Sequence, residues 1–181
     1  MKHIVFLMAL TAAVWAEGVI EVRGTSSLHD WKMVSHTVHA YMTKENDKIK
    51  TLQVSMAIET LKSDNEALDN DAYAAFEVDR ECPVLFTLSG QKQDGSLEGV
   101  IRIGRHEKRI TVMPERIENG VITGAFKAKM SRFGVEPPSL FGGLMSVDDA
   151  IEITYTISDD GVPIPAVLLR CLFPSKERMA P

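Results

Sequence analysis

The sequence predicts an all-β protein of about eight antiparallel strands with one short helix, closed as a barrel or packed as a sandwich. Three observations predict it. Apolar and polar residues alternate along several runs, the period of a strand with one buried face. Asp-Gly and Asn-Gly pairs stand between such runs, where tight hairpins need residues that tolerate positive φ. Hydrophobic residues make up 45% of the 181 and only two are cysteines, so a core rather than a disulfide scaffold must hold the fold.

The first segment stands apart from that core. Met1-Lys2-His3, the apolar run Ile4 to Leu10 and the stretch ending Val14-Trp15-Ala16 have the order of a secretory signal, with cleavage expected after Ala16. The run is shorter than the about twenty apolar residues a membrane anchor needs. The mature chain, 17 onward, has no later run of that length, so it is expected to be exported, periplasmic or secreted, without a membrane span.

Leu52 to Glu59 and Ile151 to Ser158 alternate most regularly. Val19 to Arg23, Trp31 to Met42, Val84 to Ser89, Leu97 to Ile103, Arg109 to Pro114 and Val121 to Met130 are thinner strand signals. Turns are expected at Lys44 to Lys48, Gln93 to Ser96 and Glu118 to Gly120. Ser63-Asp64-Asn65-Glu66 reads as a capping box, and Leu68, Ala72, Ala75 and Phe76 follow at helical spacing. Phe133 to Ser146 is too rich in Pro and Gly for a regular element and too apolar for a linker, so it is expected to form a lid. Residues 17–158 then make one domain, and 159–181 are a tail of unassigned role.

The formal charge of −5 offers no basic footprint for nucleic acid. His36 and His39 lie three apart on an expected strand, which sends them to opposite faces and away from a shared metal unless a bulge intervenes. There is no G-x-S-x-G elbow and no glycine-rich loop followed by Lys, so nothing positive supports an enzyme. Cys82 and Cys171 have neither C-x-x-C nor metal-ligand spacing; an export compartment would permit a disulfide, although two small thiols is the plainer reading. The nine methionines say more. Met33, Met42, Met56, Met113, Met130 and Met145 fall on expected strands or the lid, and Met adapts to irregular apolar space.

Several segments carry a family resemblance: Gly24-Thr25-Ser26-Ser27-Leu28-His29-Asp30-Trp31; Asp71 to Phe86, with Cys82-Pro83 where a Tyr-Pro is common; Leu97 to Gly104 before Lys108-Arg109; Arg132-Phe133-Gly134-Val135-Glu136-Pro137-Pro138; and Val147 to Ile153. In this order and spacing, over residues 18–158, the chain resembles the YceI-like family of exported lipid-binding proteins. It departs from the pattern at His36 and His39, and the tail from Asp159 has no counterpart.

The resemblance implies an eight-stranded lipocalin-like barrel and an apolar tunnel holding a long chain: a polyisoprenoid, an isoprenoid quinone or a fatty-acid derivative. It also implies a dimer, no catalytic residues and no cofactor. By this analogy Met56, Ile58, Phe86, Phe126, Met130, Ile153 and Tyr155 are expected to line the tunnel, and Trp31, Phe133 and Phe141 to guard its mouth. The rival reading is a structural or protein-interaction module in which the same side chains meet and fill the barrel.

Overall fold

The computed structural model describes residues 18–76, 82–140, 145–165 and 168. The expected signal segment, Phe141 and Cys171 lie outside them. Among the described residues ten strands follow one another as β1 (Gly18–Ser26), β2 (Trp31–Glu45), β3 (Lys48–Met56), β4 (Val84–Gln91), β5 (Leu97–Ile103), β6 (His106–Val112), β7 (Arg116–Glu118), β8 (Val121–Lys129), β9 (Ser139–Leu140) and β10 (Met145–Ser158). They form a single antiparallel sheet in the order β6-β5-β4-β3-β2-β1-β10-β8-β7, with β9 paired to the start of β10. The sheet curls strongly into a half-barrel.

The all-β class and lipocalin-like architecture agree with expectation; the strand count does not. Each of the eight expected runs is a strand, and the surplus consists of β7 and β9, three and two residues long. Segments that short carry too few residues to show alternation. Edge strands β6 and β7 are not hydrogen-bonded to each other. Instead the 3₁₀ turn Met130–Phe133 packs between β6, β8 and β10.

The tight turns form where the polar pairs stand. Asn119 and Gly120 both take positive φ, 50° and 79°, the left-handed pair that a two-residue hairpin requires. Asn46 and Asp47 do the same between β2 and β3, at 49° and 63°.

Three local expectations are corrected. The helix α1 (Glu66–Ala75) is capped by Asn65, whose side chain accepts from the Ala67 amide. Ser63 makes no capping box with Glu66, because its hydroxyl donates to the buried Asp69 carboxylate at 2.7 Å. His36 and His39 do not take opposite faces, for both are exposed. The register of β2 against β1 slips between Val38 and Ser35, and this bulge moves the inward row from Met33 and Ser35 to Val38, Ala40 and Met42. The run Leu52 to Glu59 is a strand only to Met56, after which Ile58–Thr60 make a 3₁₀ turn bound to β2 through Ser35 and Thr60.

One core cluster lines the sheet's concave side, with Met33, Leu52, Val54, Met56, Leu97, Ile122 and Ile157 among its buried members. A smaller cluster, Met130, Phe133, Val135 and Val147, fills the unpaired seam. Met113, expected among the apolar interior residues, is 52% exposed. The tail begins against β2: Asp159 accepts from the Met42 amide, the Asp160 amide donates to Ala40, and Ile164 is buried. Cys82 is disulfide-bonded, against the plainer reading of two thiols.

Candidate functional site

The inward rows of the strands do not meet. They enclose a chamber of about 200 Å³ walled by aliphatic and aromatic side chains and one phenol, with no charged residue in its wall. Among the side chains of this wall, only the Tyr155 hydroxyl offers water an unpartnered polar atom.

The two ends of the chamber are built differently. Leu52, Leu97, Val112, Ile122 and Ile157, from five strands, close one end and are all buried. At the other end stand Trp31, Phe76, Ile103 and Pro138, all partly exposed, with Phe133 and Val135 from the segment that plugs the seam. Short elements cap this end, and polar contacts hold them. Ser131 binds Asp149 twice, amide to Oδ1 at 2.8 Å and hydroxyl to Oδ2 at 2.7 Å. Thr25 donates to Asp148 at 2.6 Å, and Trp31 Nε1 donates to the Thr25 carbonyl at 3.2 Å. Asp69 receives the Ser63 amide and hydroxyl, and Lys62 lies 3.6 Å from it and 5.0 Å from the Tyr73 ring centre. Burial works to raise the Asp69 carboxyl, but the Ser63 hydrogen bonds and the Lys62 charge outweigh it and hold the group below its ordinary value.

Nine of the predicted site residues, Trp31, Met56, Ile58, Phe86, Phe126, Met130, Phe133, Ile153 and Tyr155, line the chamber. Phe141 lies outside the described residues. Met33, one of the methionines expected in the apolar interior, lines it too, and sequence reasoning missed Leu68, Phe76 and Val135, which also line it. It also missed three glycines in the wall, Gly24, Gly99 and Gly124, whose missing side chains leave room for Trp31, Phe86 and Tyr155. A glycine inside an otherwise apolar strand, as in Leu97-Glu98-Gly99-Val100-Ile101, was the available signal, because it marks a close approach.

Tyr155 carries the polar atom in this wall that lacks a partner. Its hydroxyl is buried and makes no hydrogen bond. Burial, reinforced by the Glu115 charge, pushes its pKa up to about 12. The phenol therefore stays neutral. No group of three or more His, Cys, Asp or Glu among the described residues is placed to hold a metal, and no helix among them is long and apolar enough to cross a membrane.

Curled sheet and chamber together define the class: an all-β protein built around an apolar interior space. No family model matches the sequence, and no curated protein does. Solved structures do. BcnA of Burkholderia cenocepacia superimposes with a TM-score of 0.61 at 14% identity, covering 77% of this chain and 94% of BcnA. The YceI protein of Campylobacter jejuni gives 0.53 at 16% identity, covering 87% of this chain and 96% of the other. The chain has a YceI-like fold.

Proposed function

We propose that this protein is an exported, non-enzymatic carrier or scavenger of a long apolar chain, such as a polyisoprenoid, an isoprenoid quinone or a fatty-acid derivative. The observation that carries the reading is the apolar, uncharged chamber at the centre of the fold. Burying one methylene gains about 0.8 kcal/mol, so a many-carbon chain binds there without any charged anchor. A binding site of this kind needs no reactive constellation, which fits the absence of a catalytic motif in the sequence. Phe141 and the dimer belong to the same proposal.

Organic extraction of the purified protein followed by mass spectrometry tests it. Near-stoichiometric release of a long-chain lipid is the expected result. Recovery of none from several expression hosts overturns the reading.

A further inference from the structure

Gly24, Gly99 and Gly124 lie inside strands, and none has the positive φ that usually explains a glycine. A glycine in a strand interior weakens it, because the backbone is freer when unfolded and there is no side chain to pack. These three positions share another feature: ring atoms occupy the place where a Cβ would stand. Trp31 fills it at Gly24, Phe86 at Gly99 and Tyr155 at Gly124. Gly24 is the register partner of Trp31 and Gly124 of Tyr155, while Phe86 pairs with Ile101 and reaches Gly99 on the diagonal. All three rings line the chamber.

Interiors of small barrels are ordinarily just wide enough for their side chains to fill. A ring that drops into the gap over a glycine lies along the wall and leaves the centre open. The surroundings of Gly24 and Gly124 are specific in this respect, since the nearest atoms belong to the one ring alone. At Gly99 a Cβ would also meet the Thr87 carbonyl oxygen at 2.6 Å, so that glycine is required by the backbone as well. Gly90, on β4, has nothing within 4 Å of its Cβ position.

The two ring-only pairs stand at different depths. Gly24 pairs with Ile151 on β10, and Tyr155 lies four residues further towards the closed end, about 13 Å at the usual rise of a strand. Trp31 is tied by its indole hydrogen bond to Thr25, whereas the Tyr155 hydroxyl is bound to nothing. Gly124 leaves the space against the wall that this ring occupies, beside Phe126 at 6.3 Å between ring centres.

We infer that Gly124 and Gly24 determine the specificity of the chamber: Gly124, by letting Tyr155 lie flat, sets how long a chain the chamber accepts, and Gly24, by letting Trp31 lie flat, sets how easily a chain enters. This rests on the carrier reading and deepens it. The ligand is a narrow, unbranched or lightly branched chain that threads past Tyr155 to the floor, rather than a bulky polycyclic one held at the mouth.

Delipidated full-length protein is titrated with straight-chain alcohols from hexanol to hexadecanol, read by displacement of anilinonaphthalene sulfonate. In the wild type, affinity rises about fourfold per methylene until the chain reaches the floor, then levels off. Gly124→Ala levels off several carbons earlier, binding hexadecanol at least about tenfold more weakly while hexanol changes by less than about twofold. Gly24→Ala leaves the levelling point in place and slows association for every length. Gly90→Ala changes neither. Adding Tyr155→Leu to Gly124→Ala restores the long-chain affinity. If Gly124→Ala fails to fold, the double variant must fold and bind hexadecanol as the wild type does, and its failure overturns the inference. A folded Gly124→Ala with the wild-type levelling point overturns it too, leaving the carrier reading intact. Wild-type protein that binds no alcohol of any length defeats the carrier reading itself.

Discussion

The closed end of the chamber and its capped end are held by different physics. At the closed end, Leu52, Leu97, Val112, Ile122 and Ile157 project from five strands whose hydrogen-bonded registers fix their positions. The capped end is assembled from two 3₁₀ turns, one helix and a loop. Their side chains bury Met130, Phe133 and Val135, but exposed or part-buried polar contacts to Asp69, Asp148 and Asp149 hold them in place. A sheet ladder opens only cooperatively, whereas a short turn held by a few hydrogen bonds opens alone. The difference teaches which end can open without unfolding the rest, and it gives the two ends different responses to mutation and to pH.

The largest effect belongs to the closed end. Leu97 is 1% exposed, and Leu97→Ala is expected to lower stability by about 3 kcal/mol, within the roughly 2–5 kcal/mol seen for buried Leu→Ala. Denaturant unfolding measures it. A loss below about 1 kcal/mol would mean that the floor is loose enough to collapse around the missing atoms. Asp69→Ala at the capped end comes next. It strands the Ser63 amide, while the Ser63 hydroxyl keeps the Asn65 carbonyl as acceptor, and the expected loss is about 2 kcal/mol. Because the folded fold holds the Asp69 carboxyl below its ordinary value, its contribution is full above about pH 4 and fades as the pH falls through the lowered value. The Ala variant should therefore lose less stability than the wild type on acidification, and equal acid sensitivity would remove Asp69 from the account.

The same contrast decides what was legible in the sequence. Strand walls announce themselves because alternation over many residues is a redundant signal, so runs such as Ile151 to Ser158 place Ile153 and Tyr155 on the inner face without further information. The bulge between Ser35 and Val38 leaves no trace in β2, because a single extra residue changes no composition, yet it turns His39 to the same outer face as His36. At the helix start, Ser63 and Asn65 are both competent caps; which one serves depends on Asp69 being buried beside Ser63, a tertiary fact. The wall glycines were visible as residues and illegible as function, since the ring that covers each one is supplied by another strand.

Tyr155 sharpens the comparison from within the wall. An unpartnered buried hydroxyl costs free energy that phenylalanine does not, so Tyr155→Phe is expected to raise stability by about 1 kcal/mol. The fold favours the neutral phenol and lifts its pKa to about 12. Ionisation of this group therefore leaves stability untouched below the ordinary tyrosine value of about 10 and lowers it as the pH rises from there through about 12. Thermal unfolding of the wild type should fall more steeply over that alkaline window than that of Tyr155→Phe. Parallel curves would show that the hydroxyl finds a partner in solution.

The smallest effect on global stability, and the most local, is expected at Ser131. Its hydroxyl bond to Asp149 is exposed, so Ser131→Ala should leave the unfolding midpoint essentially unchanged. What it should change is the opening of the turn Met130–Phe133, whose own bonds run from the Gly134 amide to Ser131 and from the Val135 amide to Met130. Amide exchange at Gly134 and Val135 should quicken while β8 and β10 keep their protection. The Ser131 amide and hydroxyl hold the Asp149 carboxyl low, so acidification through that lowered value should quicken the same two amides in the wild type. If instead exchange quickens along β8 and β10 as well, the turn is part of the sheet's cooperative unit, and the seam cannot open by itself to admit a chain.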